Sequence, residues 1–401
     1  MRMAWIVIAA GLGLPVYAYL GYPLLLFVLA AFVQAARDVY YLVWRRDRRV
    51  RHPAPPSVSI VIAAHNEEDV IDATLRCVLD LDYPAELLEV VVGSDGSMDG
   101  TVREAQALGD ARIRVLPFSE RRGKLAVLKT CVAETQGDIL VFTDANTSLS
   151  PESICNLLRH FGSPTVGVVC GELVLRGPHG EPADEGLYWR YEKVLKILES
   201  RLNAVLGANG AIYAVRRELF PRVPDNLITD DFVVPMKVRE AGWQVVYDPE
   251  AVASEQTPAT FSDEFRRRMR IGAGNWQALG QCWRLLLPWK GFVAMAFWSH
   301  KVLRWFTPFL LLVALIATAP VAGHPPGRIL LVAQFAAYCG AGIGWILRRK
   351  GLRAGPLGLA AYFATINAAL AIGLVRGMLR LQKPAWQRTA REPTVRSEAK
   401  Q

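Results

Sequence analysis

Hydrophobic residues follow two different patterns along the chain. At both ends they form long uncharged runs, at residues 3–36, 305–326, 329–347 and 354–375. A helix of about 20 apolar residues crosses a bilayer, and each run is close to that length or longer. Between the ends, short apolar segments alternate with stretches of helical spacing. The pattern therefore predicts membrane helices at both ends and an α/β domain between them.

The runs and the charges beside them divide the chain into predicted parts. These are an N-terminal transmembrane helix at 1–44, a cytosolic domain at 53–280, an amphipathic interfacial helix at 281–300, C-terminal transmembrane helices at 301–380 and a cytosolic or disordered tail at 381–401. The first run is longer than the apolar region of a signal peptide and leads into a basic cluster, so we expect an uncleaved helix. Lys290 interrupts the apolar stretch at 285–299, which favours an interfacial helix there.

The basic residues are concentrated beside the apolar runs. The net charge is +9, 52% of the residues are apolar, and the mean hydropathy is +0.20. The two clusters are Arg45, Arg46, Arg48, Arg49 and Arg51, and Arg348, Arg349, Lys350 and Arg353. Basic flanks of membrane helices face the cytoplasm. The sequence thus predicts a multi-pass protein of the inner (cytoplasmic) membrane with a cytosolic middle domain, whose basic surfaces meet membrane lipids and not nucleic acid.

The number of predicted membrane crossings and the charge of the C-terminal tail favour opposite sides of the membrane for that tail. One N-terminal and three C-terminal helices would leave the tail outside, whereas its basic residues favour the cytoplasm. These residues are Arg376, Arg380, Lys383, Arg388 and Arg391. Two alternatives remain: a C-terminal segment is re-entrant, or the stretch at 285–299 inserts into the membrane.

Three segments of the middle domain share one plan, in which an apolar strand leads through a polar corner into an amphipathic helix. The corners are His65-Asn66-Glu67, Ser94-Asp95-Gly96-Ser97 and Asp144-Ala145-Asn146. Apolar strands that alternate with helices predict a parallel sheet covered on both faces. Ligands bind such sheets at the carboxyl ends of the strands. We therefore expect the three corners to meet in one crevice.

Each corner alone also has a structural explanation, as a helix cap or an Asx turn. Asp144 and Asn146, however, offer two oxygen ligands, which suit Mg²⁺ or Mn²⁺ when phosphates fill the remaining positions. Asn146 brings no charge, so the site should depend strongly on the phosphates. The chain has no GxxxxGK[ST] and no GxGxxG, and its six cysteines lack zinc spacing. These absences argue against an ATPase, a dinucleotide enzyme and a zinc protein.

Two charged constellations follow the third corner. Asp230 and Asp231 precede a helical pattern, where they act either as capping acids or as a general base with a neighbouring acid. Arg267 and Arg270 share one face of a predicted helix. That face is either a basic patch at the membrane surface or a guanidinium clamp for a diphosphate.

A candidate acceptor region lies between the third corner and the acidic pair. Trp189 and two neighbouring tyrosines either pack on the sheet or offer rings to a sugar or a lipid. The glycine-containing loop at 207–211 would let the backbone approach a ligand closely. The residues expected to contact an acceptor are Trp189, Asn209, Gly210 and Asp230.

The order of these motifs resembles family 2 glycosyltransferases, the inverting membrane enzymes that include cellulose, chitin, hyaluronan and poly-N-acetylglucosamine synthases. The resemblance covers about residues 58–283. It implies an α/β, GT-A-like nucleotide-sugar-binding fold with a mixed, mainly parallel sheet, flanked by N- and C-terminal transmembrane helices. Asn66-Glu67 matches the first corner of the family, although the Pro of that corner is absent here.

Several positions depart from the family pattern. Ser94 replaces the first of two acids in the second corner, and Asn146 replaces the last acid of the Asp-x-Asp metal motif. In the Gln-x-x-Arg-Trp motif of processive synthases, Arg270 matches, whereas Arg267 and Ile271 replace Gln and Trp. The Trp stacks on the acceptor sugar in those synthases, so its replacement weakens the expectation of processivity.

The resemblance assigns a role to each matching residue. Thr229-Asp230-Asp231 resembles Thr-Glu-Asp, whose final acid is the catalytic base, so that role falls to Asp231. Asp95 would contact the uracil, and Asp144 with Asn146 would hold Mg²⁺ or Mn²⁺. The residues implied in binding a UDP-sugar are Asn66, Glu67, Asp95, Lys124, Asp144, Arg267 and Arg270.

Three functions fit the sequence. The first is a processive synthase that extends a glycan in cell-envelope or exopolysaccharide synthesis. The second is a transferase that adds one sugar from a UDP-sugar to a lipid or lipid-linked acceptor. The third is a catalytically inactive membrane scaffold that binds a sugar nucleotide. Export or accessory subunits are further candidate partners.

Overall fold

The chain forms two compact units. The computed structural model describes residues 1–44, 54–177, 187–256, 261–350, 352 and 354–382. The helical unit consists of Met1–Val28 and Phe261–Gln382, and the sheet unit covers Leu29–Thr260. The predicted basic cluster at 45–51, Arg353 and the predicted tail residues from Lys383 onwards lie outside the described residues.

Helices occur in both units. In chain order they are α1 Arg2–Val16, α2 Tyr22–Trp44, α3 Ile71–Leu79, α4 Thr101–Ala107, α5 Lys124–Ala133, α6 Ser153–Leu158, α7 Leu187–Arg201, α8 Asp230–Glu240, α9 Phe261–Cys282, α10 Phe292–Ala296, α11 Leu303–Thr318, α12 Pro325–Arg349 and α13 Gly355–Met378.

The sheet unit is built on one eight-stranded sheet. Its strands are β1 Val58–Ala64, β2 Leu88–Asp95, β3 Ile113–Phe118, β4 Ile139–Asp144, β5 Ser148–Leu149, β6 Val166–Arg176, β7 Tyr213–Arg216 and β8 Gln244–Gln256, in the order β3-β2-β1-β4-β7-β6-β8-β5. The first four neighbours are parallel, and β7 runs antiparallel to both β4 and β6. The sheet is therefore mixed and mainly parallel, as predicted.

The central strands are buried along their whole apolar length, which explains their continuous hydrophobic character. All seven residues of β1 are buried, and Ile60 and Ile62 belong to the main core with Val90, Val92 and Val141. Buried β-branched side chains suit a sheet covered on both faces.

The register of the strands brings the polar corners to one edge. Ala64 at the end of β1 pairs with Ser94 of β2, and Ala63 pairs with Asp144 of β4. The three strands therefore end side by side, and the corners that follow them lie along the same carboxyl edge.

Long apolar helices lie near both ends of the chain. Four helical segments are long and apolar enough to cross a membrane among the described residues, and they cover Arg2–Trp44, Phe292–Val321, Pro325–Arg349 and Gly355–Met378. The first of them passes through a π-helical turn at Tyr17–Gly21. The segments match the predicted apolar runs at both ends of the chain.

The region at 281–300 differs from the single interfacial helix that the sequence predicts. Short 3₁₀ turns occupy Trp283–Leu286 and Pro288–Lys290, and Gly291 has a positive φ of 61° that ends the second turn. From Phe292 the chain continues as one helical segment through a π-helical turn at Phe297–Val302. Pro288 and Gly291 break the predicted helix early.

A cationic side chain is buried inside the helical unit. Arg304 is 6% exposed and donates to the backbone oxygen of Ala18 at 3.3 Å. Its guanidinium lies 4.8 Å from the centre of the Tyr19 ring. Nearby, the hydroxyls of Tyr17 and Ser299 are 3.0 Å apart. The two π-helical turns therefore face each other across a polar contact within otherwise apolar helices.

α9 and α13 approach each other so closely that only glycine fits at the contact. A Cβ atom on Gly373 would lie 2.2 Å from the backbone oxygen of Met269, and one on Gly377 would lie 2.7 Å from that of Ala273. A Cβ atom on Gly272 would likewise meet α13 at 2.8 Å. Small residues spaced four apart allow this backbone contact between helices.

Candidate active site

The first two corners are joined by hydrogen bonds through Asn66. Its side-chain oxygen accepts the backbone N–H of Met98 at 2.9 Å, and its own N–H donates to Ser97 Oγ at 3.1 Å. Asn66 adopts a positive φ of 55°, a conformation that Asn tolerates better than most residues. The Glu67 N–H donates to Thr101 Oγ1 at 2.8 Å. Asn66 therefore shapes the edge of the site and is engaged with the protein itself.

Asp95 is completely buried in this structure. Its carboxylate accepts the backbone N–H of Arg122 at 2.5 Å and that of Gly123 at 3.1 Å. His65 Nδ1 donates to the backbone oxygen of Asp95 at 2.7 Å, since a carbonyl can only accept. Asp95 thus anchors the loop that leads into α5, and its contact with uracil stays a prediction.

That loop places Lys124 beside the third corner. Lys124 is the first residue of α5, and its ammonium lies 2.5 Å from Asp144 Oδ1. The side chain of Lys124 is 25% exposed and that of Asp144 is 31% exposed. The corner itself is held by Thr143 Oγ1, which donates to the backbone oxygen of Ala211 at 2.8 Å. The pairing of Lys124 with Asp144 is not apparent from the sequence, where only the Gly-Lys step hints at it.

Three charged groups converge beside Gly210. A Cβ atom on Gly210 would lie 3.2 Å from Asp144 Oδ2 and 3.4 Å from Lys124 Nζ. The same position lies 3.8 Å from Asp231 Oδ2. We call this position the Gly210 point. Because Gly210 has no side chain, a small group can lie within reach of two carboxylates and one ammonium at once.

The electrostatics of this cluster keep Lys124 protonated. Burial alone would lower the pKa of Lys124, but Asp144, Asp230 and Asp231 together raise it above its ordinary value. Burial first, and then the same three carboxylates, also raise the pKa of the Tyr213 phenol well above its usual range. The cluster therefore contains a permanent cation and a neutral phenol.

The acidic pair lies at the start of α8. Asp230 is buried, whereas Asp231 is partly exposed and reaches the Gly210 point. The backbone oxygen of Asp231 accepts the N–H of Ala208 at 2.8 Å, which ties the glycine loop to the helix. Asp231 is thus a partly exposed carboxylate beside the other charged groups, and its role as the base stays a prediction.

The predicted acceptor residues have different positions. Gly210 borders the cluster, but the Asn209 amide is engaged with backbone on both sides. It donates to the Gly171 oxygen at 2.9 Å and accepts the Ile212 N–H at 3.2 Å. Asn209 therefore fixes the shape of the loop. Trp189 lies partly buried on α7 with its ring 6.5 Å from that of Tyr188, and its acceptor role stays a prediction.

The two predicted clamp arginines belong to the helical unit. Arg267 and Arg270 are partly buried on α9, three residues apart on one face. Their neighbours Arg266 and Arg268 are paired within the helix, at 2.7 Å with Asp263 and at 2.6 Å with Glu264. The contact of Arg267 and Arg270 with a diphosphate stays a prediction.

The donor set at the third corner fits a divalent ion only in part. Asp144 supplies one carboxylate, and no hydrogen bond occupies the Asn146 side chain within the described part of the chain. The described residues contain no group of three His, Cys, Asp or Glu side chains that could hold a metal. Mg²⁺ accepts one or two protein carboxylates when phosphates supply the rest. The residues therefore fit an ion that binds together with a diphosphate.

The sequence of the sheet unit matches a known family. Residues 59–222 match the family described as Glycosyl transferase family 2. The chain carries a family 2 glycosyltransferase domain. The matched stretch of this glycosyltransferase domain contains the three corners, Lys124 and Gly210, whereas Asp231 and Arg270 follow it.

The chain spans about half the length of the curated relatives that it matches. The probable glycosyltransferase YdaM of Bacillus subtilis (strain 168) is 28% identical over 243 residues, which is 55% of this chain and 55% of that protein. The beta-monoglucosyldiacylglycerol synthase of Synechocystis sp. (strain ATCC 27184 / PCC 6803 / Kazusa) is 27% identical over 284 residues, 66% of this chain and 56% of that protein.

A solved structure covers nearly the whole chain. The mannosyltransferase PcManGT from Pyrobaculum calidifontis, in complex with GDP-Man and Mn²⁺, aligns with 94% of this chain and 100% of its own chain, at a TM-score of 0.67 and 23% identity. This likeness concerns the fold. It confirms the GT-A-like architecture that the order of the motifs implied.

Proposed function

We propose that this chain is a membrane-bound inverting glycosyltransferase. It transfers a sugar from a UDP-sugar to a hydroxyl group of a lipid or glycan acceptor in cell-envelope or exopolysaccharide synthesis. The observation that carries the proposal is the Gly210 point, where Asp144, Lys124 and Asp231 come within 4 Å of one position at the carboxyl edge of the sheet. A cation for the leaving group and a base for the acceptor are thus close together.

The reaction is a single displacement. The acceptor oxygen forms a bond to C1 of the sugar while the bond from C1 to the diphosphate oxygen breaks. Asp231 accepts the hydroxyl proton, and the diphosphate leaves with the electron pair. Lys124 donates to the leaving oxygens and offsets their charge as it develops. Attack from the face opposite the diphosphate inverts the anomeric centre.

Other groups support this step. Asp144 and Asn146 would hold Mg²⁺ or Mn²⁺, which supplies further positive charge to the diphosphate when it is bound. Arg267 and Arg270 are proposed as additional diphosphate ligands, because arginine binds phosphate oxygens in a bidentate manner. Asp95 and Asn66 act indirectly, since they hold the loops around the nucleotide in place.

The acceptor is most consistent with a membrane lipid that receives one sugar. Ile271 stands where processive synthases stack the acceptor sugar on Trp, and a relative that matches 66% of this chain is a glycolipid synthase. Transfer to a growing glycan is the second candidate. The size of the product distinguishes the two, because a processive enzyme makes a ladder of long chains.

The test uses the full chain in lipid nanodiscs with a panel of UDP- and GDP-sugars and a bacterial lipid extract. We expect nucleotide release and one labelled glycolipid with a UDP-sugar. Asp231→Asn should reduce the rate at least 1,000-fold, as about 4 kcal/mol of lost transition-state stabilisation would. Asp225→Asn is the matched control, since Asp225 pairs with Lys129.

Other outcomes of this assay contradict parts of the proposal. Intact nucleotide binding without release or transfer for any donor would contradict catalysis and favour a scaffold. Release with GDP-sugars alone would contradict the choice of UDP. Long glycan chains would contradict single transfer.

The sheet unit is proposed to face the cytoplasm, and α13 is proposed not to cross the membrane. α1 and α11 run antiparallel, with Met1 near His324 at one end and Tyr17 near Ser299 at the other. The basic residues at the end of α12 favour the cytoplasm for the end at which α13 begins.

Both halves of α13 contact residues at the proposed cytoplasmic end of the helical unit. The Phe363 ring lies 5.5 Å from Tyr19, which is next to the Tyr17 end of α1. Gly377 packs against Ala273 of α9, the helix that directly follows the sheet unit in the chain. A helix whose two halves lie at one end of the bundle does not span it. This choice resolves the disagreement over the basic tail, because three crossings leave the C-terminus in the cytoplasm.

A reporter at the C-terminus tests the orientation. We expect a fluorescent protein fused after Gln401 to fold and fluoresce, as it does in the cytoplasm, and alkaline phosphatase at the same position to be inactive. Active phosphatase would contradict the three-crossing arrangement and make α13 a spanning helix.

A further inference from the structure

A lysine ammonium lies beside Asp144, where a divalent ion would bind. Lys124 Nζ is 2.5 Å from Asp144 Oδ1, and both groups border the Gly210 point, at 3.4 and 3.2 Å. The ammonium thus pairs with the carboxylate that would be the strongest metal ligand of the corner. An ion at the same carboxylate would face a positive charge at hydrogen-bond distance, and such neighbours repel strongly at partly buried sites.

The position of Lys124 is imposed by the fold. The preceding Gly123 has a φ of 93°, and its N–H is held by the buried Asp95 carboxylate at 3.1 Å. The backbone of Lys124 is therefore fixed, and only its side chain can move. That side chain is three-quarters buried, so few positions away from Asp144 are open to it without a ligand.

The other residues of the third corner offer a divalent ion few ligands beyond Asp144, for which Lys124 competes. Asn146 is neutral, and the described residues contain no group of three His, Cys, Asp or Glu side chains that could hold a metal. Asp231 reaches the Gly210 point but is needed as a base. A divalent ion on the protein alone would thus rely on one carboxylate that is already paired.

We propose that Lys124 excludes a divalent ion from Asp144 until a nucleoside diphosphate binds. The diphosphate offers anionic oxygens to the ammonium, which frees Asp144, and it supplies further ligands to the ion. Ion and diphosphate therefore bind together, and neither the free protein nor the protein after release of the diphosphate retains the ion. This inference rests on the proposed function for the diphosphate as the natural ligand and for Asp231 as the base.

The test measures binding of Mn²⁺ alone to the full chain in nanodiscs, by the loss of the free Mn²⁺ signal in electron paramagnetic resonance. We expect Lys124→Met to bind Mn²⁺ at least 10-fold more tightly than the wild type. Lys129→Met is the matched control on the same helix, since Lys129 pairs with Asp225 at 2.5 Å, and its affinity should equal that of the wild type. Lys124→Gln checks that the effect follows from loss of the charge.

A double variant identifies the ligand. Adding Asp144→Asn to Lys124→Met should abolish the gain in Mn²⁺ affinity, because the freed carboxylate is then absent. Saturating UDP or GDP should raise the Mn²⁺ affinity of the wild type at least 10-fold and that of Lys124→Met by a smaller factor. An unchanged Mn²⁺ affinity in both folded Lys124 variants would overturn the proposal, as would a gain that survives Asp144→Asn.

The outcome is separate from that of the proposed function. Mn²⁺ binding is measured without a sugar donor, so the expected pattern can appear in a protein that transfers no sugar. Conversely, a transferase whose Lys124 variants bind Mn²⁺ like the wild type would retain the function and lose the gating role of Lys124.

Discussion

The Asp95 carboxylate accepts the backbone N–H of Arg122 at 2.5 Å, across 27 residues of sequence. This bond makes Asp95 a support for the loop before Lys124. Asp95→Ala would leave buried N–H groups without an acceptor, so we expect a loss of about 2–3 kcal/mol in stability. Thermal unfolding of the intact protein measures it.

The matched control for this prediction is Asp225→Ala, at an exposed site. It should leave the unfolding midpoint unchanged. A folded Asp95→Ala protein with a normal midpoint that has lost UDP binding would contradict the supporting role and restore a direct contact with the base.

The two polar residues of the third corner should differ in importance. Asp144→Ala removes the carboxylate that meets Lys124, and we expect transfer to fall at least 1,000-fold. Asn146→Ala removes a neutral oxygen only, so the rate should fall about 10-fold and the Mn²⁺ concentration for half-maximal rate should rise. Steady-state kinetics over a range of Mn²⁺ concentrations distinguish the two. Equal and complete loss would mean that the Asn146 oxygen is an essential ligand.

Gly210 should tolerate no side chain. Gly210→Ala would place a methyl group 3.2 Å from Asp144 Oδ2, within the space that we propose for the diphosphate and the acceptor. We expect kcat/KM to fall about 100-fold, roughly 2.7 kcal/mol, with an unchanged unfolding midpoint. Gly280→Ala, on α9 where the added Cβ would meet open space, is the control and should keep the wild-type kcat/KM. Full activity of Gly210→Ala would show that substrate does not occupy this point.

The sheet unit contains a buried acid that should link stability to pH. Burial opposes ionisation of Asp248, yet hydrogen bonds from His160 and Glu250 N–H, with the charge of Arg159, hold its pKa below the ordinary value. The ionised form therefore stabilises the fold above the unfolded pKa of about 4, and this contribution is lost as the pH falls through the folded pKa.

Asp248→Asn measures this contribution. We expect the variant to lose about 2–4 kcal/mol of folding stability at pH 7, because His160 and Arg159 then lack the buried negative charge that they contact. The difference from the wild type should shrink as the pH falls from about 4 through the folded pKa, below which the wild-type carboxyl is also neutral. Glu250→Gln, which removes an exposed partner of Arg159, should change stability by less than about 1 kcal/mol. A difference that is constant from pH 7 to pH 3 would refute the role of ionisation.

Local patterns were sufficient to predict the sheet edge and its polar corners. Continuous apolar strands followed by polar turns specify parallel strands that end together, and the register of Ala63 with Asp144 agrees. The burial of Asp95 could not be predicted in this way. A carboxylate that binds a ligand and one that binds distant backbone N–H groups look the same in sequence.

The same limit applies to other predicted site residues. Asn66 and Asn209 have the residue type of ligand contacts, but their amides satisfy backbone groups brought close only by folding. The pairing of Lys124 with Asp144 joins residues from two different strand–helix connections, so no local pattern contains it. The helix break at Gly291 depends on a positive φ, which a glycine permits but does not require.

The glycine contact between α9 and α13 has a practical consequence for work on this protein. α9 carries Arg267 and Arg270, and its backbone is pressed against Gly373 and Gly377 near the end of the chain. A chain truncated before α13, made to obtain a water-soluble enzyme, would lose the surface that holds the arginine helix. The resulting loss of activity would be mistaken for a defect in the soluble domain, although its cause would lie in the missing last helix.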